Sequence, residues 1–256
     1  MKNKLWIPII VLLLLTSIDG YGQRWKLRRY ELDMYVAATT FHGDIGKANE
    51  NFKNMFNGIR PTFGITPRFF ITQNITVAVD LAYAMYGGKD DPVSSHGRYY
   101  SFTSHAFVHG VRGEYYIMGT KGRGYSGAVY NKRGMVNNYN QLYLYLYGGV
   151  SGVLSKSTIK DLNNDGEEPV NNPGYNNNMV YSAVFPVGAG MKFSIDPRWS
   201  VGFELGYAFS MSDWLDGYAP EEVSKYSDSY YTLSVKGIYK IRNDKNGRPV
   251  FKKLYR

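Results

Sequence analysis

The stretch that decides the fold runs from Trp199 to Arg242, WSVGFELGYAFSMSDWLDGYAPEEVSKYSDSYYTLSVKGIYKIR. Two alternating runs flank a polar, acidic tip. In the first, Val201, Phe203, Leu205, Tyr207 and Phe209 share one face, and Gly202, Glu204, Gly206, Ala208 and Ser210 share the other. In the second, Tyr231, Leu233, Val235, Tyr239 and Ile241 oppose Thr232, Ser234, Lys236 and Lys240. Side chains that alternate with a period of two belong to strands, so this is a long hairpin. A large apolar and aromatic face backed by a small or charged one has two readings. It is half of a soluble sandwich, or it is the wall of a membrane barrel with lipid outside and polar groups inside.

Working outward, the same alternation recurs over residues 30–45, 59–71, 75–86, 98–118, 141–154 and 179–195. The clearest case is residues 75–86, where Ile75, Val77, Val79, Leu81, Tyr83 and Met85 oppose Thr76, Ala78, Asp80, Ala82 and Ala84. With the two strands of the opening hairpin this makes eight, each with ten or more residues, enough to cross a hydrocarbon core when tilted. An even number of up-and-down strands can close on itself and leave no unpaired edge. Tight turns at Thr72-Gln73-Asn74 and Asp196-Pro197-Arg198 alternate with longer connections, among them a polar loop from Ser155 to about residue 178. Short periplasmic turns and long external loops are the barrel pattern. The one breach is the long Gly-, Asn- and Lys/Arg-rich connection 119–140, which falls on the periplasmic side. Apolar faces this continuous would aggregate in water. The expected fold is therefore all-β, an eight-stranded antiparallel up-and-down transmembrane (outer-membrane) β-barrel.

The amino end supports an exported chain. MKNK is followed by the apolar run LWIPIIVLLLLTSI and by small residues at Gly20 and Gly22, a secretory signal peptide over residues 1–22. The apolar run is short of the roughly 20 residues a spanning helix needs. The barrel then occupies residues 23–242, and a basic periplasmic tail occupies 243–256. Removing the signal takes away Lys2, Lys4 and Asp19, so the formal charge goes from +9 to +8 (9 − 2 + 1). There is no Cys, which excludes a cysteine-linked lipid anchor, a disulfide framework and thiolate chemistry. The 24 Tyr suit the aromatic girdles of an outer-membrane wall. Nucleic acid is not an expected partner outside the cytoplasm.

The placement of charge carries more than its sum. The outer loops hold most acids, including Asp161, Asp165, Glu167, Glu168, Asp213, Asp216, Glu221 and Glu222. The periplasmic side is basic, with Arg198, Arg242, Lys245, Arg248, Lys252, Lys253 and Arg256 near the carboxy end. Such a rim either attracts an acidic partner and raises its on-rate, or is a solvated rim touching lipid headgroups. The inward faces carry Glu31, Asp33, Asp80, Lys192, Glu204 and Lys236, together with Lys240. An eight-stranded barrel is just wide enough for side chains to fill. These lumen charges are expected to pair with one another, because buried charges need partners.

Catalytic chemistry finds little support. His42, His96, His105 and His109 are scattered, and the last two, on one strand face, stand about 13 Å apart at strand rise, too far to share a metal. There is no GxSxG elbow and no His/Asp/Ser grouping, so no catalytic residue and no cofactor-binding residue is assigned. One string is metal-like. In DLNNDGEEPVNN, Asp161, Asn163, Asp165 and Gly166 match the first half of a calcium loop, but Asn172 stands where a bidentate Glu is expected. The plain alternative is an Asx- and Gly-rich turn. At the tip of the opening hairpin, Asp213, Trp214 and Asp216 form either a contact site or an aromatic anchor at the outer girdle.

The run VFPVGAGMKFSIDPRWSVGFELGYAFSMSDWLDGYA, followed by YSDSYYTLSVKGIYKI, resembles a family of Bacteroidota-type outer-membrane barrels of otherwise undefined function that includes PorG, a component of type IX secretion. The residues that carry the likeness are Pro186, Gly188, Gly190 and Lys192, then Trp199, Gly202, Glu204 and Gly206, then Asp213, Leu215 and Asp216. Gly43, Asp44 and Gly46 resemble the end of the family's first strand. The tail KNGRPVFKKLYR departs from the many barrels that end on their final strand. The resemblance implies a non-enzymatic structural role, as a monomeric barrel within a complex of periplasmic or lipoprotein secretion-ring components. The alternative is a small OmpX-like surface barrel acting in adhesion or ligand binding through its outer loops.

Overall fold

Alternating side chains become a wall when each strand finds two neighbours, and here every long strand does. The computed structural model describes residues 29–43, 45, 58–90, 99–119, 127–131, 134–138, 141–169, 174–196, 198–219, 228–243 and 249–250. The signal peptide over 1–22 and its cleavage site lie outside them, as do His96, Lys245, Arg248, Lys252, Lys253 and Arg256. The strands are β1 (Tyr30–His42), β2 (Arg60–Phe70), β3 (Ile75–Lys89), β4 (Tyr100–Met118), β5 (Gly127–Asn131), β6 (Gly134–Asn138), β7 (Gln141–Asp161), β8 (Val180–Ser194), β9 (Trp199–Ser210), β10 (Ser229–Asn243) and β11 (Pro249–Val250).

Eight of these close into one antiparallel barrel in the order β1-β2-β3-β4-β7-β8-β9-β10, with β10 pairing back onto β1 from Ile241↔Tyr30 to Ser229↔His42. Closure satisfies the backbone along both sides of every strand, the condition for passage through hydrocarbon. The wall is inside-out relative to a water-soluble protein. Met34, Val150 and Leu205 are more than half exposed, while Asp33, Arg68 and Lys192 are almost fully buried. A chain with this polarity crosses a bilayer with its strands. Among the described residues no helix is long and apolar enough to cross one.

The turn at residues 71–74 and the tight connection between Ser194 and Trp199 define a short-turn end, which also holds the start of β1 and the end of β10. Asp196 shapes its turn by accepting hydrogen bonds from the Arg198 and Trp199 N–H groups, both at 2.6 Å. The other end carries the long loops.

The fold corrects one expectation about the chain's course and adds two features to it. Within the connection 119–140, β5 and β6 form a small hairpin. Residues 155–161 are not loop but the end of β7, which pairs with β4 from Ser155↔Ala106 to Asp161↔Tyr100. These residues lack an apolar outer face, so they read as polar loop, yet ladder hydrogen bonding continues past the lipid band without one. Within the tail, Pro249–Val250 pairs with Asn243 and Arg242.

Candidate functional site

The inward positions of the barrel build a continuous side-chain plug. All six expected lumen charges, Glu31, Asp33, Asp80, Lys192, Glu204 and Lys236, lie on that face, and five of them are buried with Asp80 partly so. Glu204 of β9 and Lys236 of β10 meet across the opening hairpin, Nζ to Oε2, at 2.7 Å. Lys192 of β8 reaches Glu31 of β1 at 2.6 Å.

The centre of the network was not among the expected lumen residues. It consists of Arg68 on β2 and Arg112 and Glu114 on β4. Arg68 pairs with Asp33, holds Glu114 Oε1 with its Nε at 2.9 Å, and lies 3.7 Å from Glu204. Arg112 grips Glu204 at 2.8 Å and 3.1 Å and touches Glu114 at 3.1 Å. Strand parity could have found all three. Counted from the outward Phe63 and Ile65, Arg68 falls inward; counted from Phe107 and Val111, Arg112 and Glu114 do. His105 and His109 on the outward face of β4 blurred the pattern there.

The network balances: cations Arg68, Arg112, Lys192 and Lys236 face anions Glu31, Asp33, Glu114 and Glu204. Aromatic rings complete their cages. Lys192 stands over Phe70, Tyr116 and Tyr143 at 5.1–5.4 Å, Arg112 over Tyr147 at 4.5 Å, and Lys236 over Tyr35 at 4.9 Å. Such contacts stabilise a cation removed from water. The Tyr145 hydroxyl donates to Glu204 at 2.8 Å and accepts from Arg68 at 3.2 Å. Charges without pairing at this depth would be expelled from the fold.

Room for the rings comes from small residues on neighbouring strands. A Cβ at Gly190 would run into the Tyr145 ring, and one at Gly64 into Tyr35. Glycine is thus required on the inward face of β8 and β2 by close approach, not by a turn. Beyond this layer Asp80 accepts from Thr66 at 2.7 Å and from the Tyr35 hydroxyl at 3.2 Å. It borders a cavity of about 60 Å³ lined by Ala37, Thr39, Ala82, Val108, Ser151 and Ala208 among others. That volume suits a few water molecules.

The long-loop end is closed by a second, apolar layer. Phe41, Ile45, Tyr86, Phe102, Ile159, Leu215, Tyr218 and Tyr230 pack together there. Of the outer-tip residues Asp213, Trp214 and Asp216, the last is drawn into this layer. The chain after β9 folds back into the mouth, taking Leu215 and Asp216 to full burial while Asp213 and Trp214 stay partly exposed. Asp216 accepts from the Ile45 N–H at 3.1 Å and from the Tyr218 N–H at 2.9 Å. Asp228 accepts from the Leu215 N–H at 2.8 Å, and Ser157 donates to the Leu215 carbonyl at 2.7 Å.

Within the calcium-like string, residues 161–167 form a reverse turn at the end of β7. Asp161 accepts from the Asn163 N–H at 2.9 Å, and Asp165 and Gly166 take left-handed φ values of 51° and 80°. Among the described residues no group of three or more His, Asp or Glu gathers in metal-binding geometry. His105 and His109 lie on the outward wall, each beside its own tyrosine, Tyr83 at 2.6 Å and Tyr181 at 3.3 Å. Of the basic candidates at the short-turn end, Arg242 is described and exposed.

No protein-family model matches the chain, and no curated protein matches it. Solved structures do resemble it in shape. The attachment invasion locus protein Ail of Yersinia pestis has 12% identity and a TM-score of 0.41, covering 83% of this chain and 97% of that one. A major outer membrane protein from Thermus thermophilus has 11% identity and a TM-score of 0.45, covering 82% and 98%. The outer membrane enzyme PagL has 12% identity and a TM-score of 0.38, covering 82% and 99%. Proteins of such different kinds, at such identities, lend this chain neither an activity nor a partner. The architecture rests on the chain's own eight paired strands.

Proposed function

We propose that this chain is a non-enzymatic outer-membrane barrel that acts as an anchor, working through its ends and not through its lumen. The observation that carries this reading is the double seal: a balanced ion-pair layer around Arg68, Arg112 and Glu204, and an apolar layer around Leu215. A lumen filled this way offers no path for a solute. Taking the short-turn end as periplasmic, as the alternation of turn and loop lengths implies, the basic rim faces the periplasm. Arg198 and Arg242 lie exposed there, and β11 holds the carboxy-terminal segment against the end of β10. An acidic periplasmic or lipoprotein partner suits such a rim, and docking in a type IX-like secretion machine is the role that the resemblance implies.

A second reading places function at the outer loops, in adhesion or ligand binding. The observation that favours it is the bridge between Tyr175 and Tyr218, which links two loops at the long-loop end.

The test has two arms. In planar bilayers the purified chain should produce no steady conductance; stable channels would overturn the sealed-lumen reading. Pull-down from solubilised outer membranes should recover periplasmic proteins with the whole chain and lose them when residues 242–256 are deleted. Equal recovery by both forms would move function to the outer loops.

A further inference from the structure

The outward wall of β3, β4 and β7 does not end where the apolar band ends. These strands have 15, 19 and 21 residues, against 11 in β2 and 12 in β9. On β4 the outward positions from Ile117 to Phe107 span ten residues, about 25 Å of height at ordinary strand rise and tilt. That is the height of a lipid-facing band, so Phe107 marks its edge, and Leu154 marks it on β7.

Beyond that edge the outward face changes chemistry at once. Cross-strand register places His105 opposite Lys156, Thr103 opposite Thr158, and Ser101 opposite both Lys160 and Lys89. His105, Lys156, Lys160 and Lys89 are all exposed. Among the described carboxylates near this face, Glu167 is bridged to Asp161 through the backbone and Glu168 accepts from the Tyr175 hydroxyl at 2.6 Å. Asp90 is buried, and Asp161 is turned into its own reverse turn through Asn163. None of the three lysines has a carboxylate partner among the described residues, and Lys89 rests over the Tyr99 ring at 4.7 Å. Directly beneath stand Phe107, Leu154, Tyr83 and Tyr181, and the Tyr83 hydroxyl joins His105 Nδ1 at 2.6 Å. Rows of flexible ammonium groups and hydroxyls over an aromatic shelf match a ligand with a phosphate head and hydrocarbon chains.

We propose that the outward ends of β3, β4 and β7 form a binding site for the phosphate of an anionic lipid in the leaflet at the long-loop end. Lys89, Lys156 and Lys160 neutralise the phosphate, Thr103 and Thr158 donate to it, and the acyl chains lie against Phe107 and Leu154. The proposal rests on the membrane-barrel reading above but not on the docking role of the opposite rim.

Native mass spectrometry of the full chain in detergent micelles tests it, with dioleoyl phosphatidic acid as probe and phosphatidylcholine as control. The wild-type chain should retain phosphatidic acid over phosphatidylcholine. Lys89→Ala/Lys156→Ala/Lys160→Ala should lower that retention by about tenfold or more, since each lysine adds to attraction at an anionic surface. Lys156→Arg/Lys160→Arg should keep it, and added salt should weaken it. All three positions are exposed, so folding should persist, checked by unchanged heat-dependent gel mobility. Equal retention by the triple variant, or equal retention of the two lipids, overturns the site while the barrel reading stands. Displacement of the lipid by millimolar inorganic phosphate would assign the lysines to free phosphate and overturn the lipid assignment. Purification of a folded chain without detergent would overturn both.

Discussion

Arg112 holds Glu204 through both terminal nitrogens, Nη1 to Oε1 at 2.8 Å and Nη2 to Oε2 at 3.1 Å. The same carboxylate takes Lys236 at 2.7 Å and the Tyr145 hydroxyl at 2.8 Å. One anion on β9 thus ties together β4, β7 and β10, and removing it leaves neighbouring cations buried without compensation. Glu204→Ala should cost about 3–5 kcal/mol, the usual penalty for breaking a buried ion pair from one side. Urea unfolding of the refolded barrel in micelles measures it. A change under about 1 kcal/mol would mean that the lumen is wet enough to screen the charges.

The Tyr145 ring sits where a Gly190 side chain would be. Gly190→Ala should push the ring away from Glu204 and Arg68 and destabilise the barrel by about 1–3 kcal/mol, as overpacking does. A double-mutant cycle with Tyr145→Ala gives the sharper check. Because removing the ring restores room for the methyl group, the double variant should be less destabilised than the sum of the singles. Strict additivity would show that the two positions do not compete for space.

Asp216 anchors the chain after β9 in the barrel mouth through the Ile45 and Tyr218 N–H groups. Asp216→Ala leaves those donors without that acceptor in a buried setting, at about 1–3 kcal/mol. The loss should be local. Residues 211–219 should gain amide exchange and protease sensitivity, while the strand amides of β9 and β10 keep their protection. Unchanged exchange at Leu215 would place the anchoring in the apolar cluster alone.

The short-turn end has a titratable latch. Hydrogen bonds from the Trp199 and Arg198 N–H groups hold the Asp196 carboxyl below its ordinary value of 3.8. A depressed folded-state value means that the carboxylate's contribution is fully present above the unfolded value. It is lost as pH falls through the folded one. The turn should therefore stay ordered from neutral pH down to about 4 and loosen only in stronger acid, which amide NMR shifts of Trp199 would follow. Asp196→Asn, which keeps an acceptor oxygen, should remove this acid dependence. Persistence of the transition in that variant would assign it to another group.

The period of two along each strand determined, without any coordinates, that the chain is a wall with one apolar and one polar face. It also determined the number of barrel strands, because eight alternating runs separated by turns stand in the sequence. The inward placement of Glu31, Asp33, Asp80, Lys192, Glu204 and Lys236 followed from the same parity. What parity cannot supply is the partner. Glu204 and Lys236 are neighbours in one hairpin and could be matched in the sequence. Lys192 and Glu31, on β8 and β1, meet only because the closed barrel brings opposite sides of a narrow lumen within reach. Arg68, Arg112 and Glu114 join strands far apart in the chain for the same reason. The end of β7 was hidden by its polar composition, and the inward fold of residues 211–219 by the acids Asp213 and Asp216 that flank Trp214 and Leu215. Ladder hydrogen bonds hold the first, and the apolar space above the lumen takes in Leu215. Alternation is local and written residue by residue, whereas burial, pairing and closure depend on what the other strands bring to the same point in space.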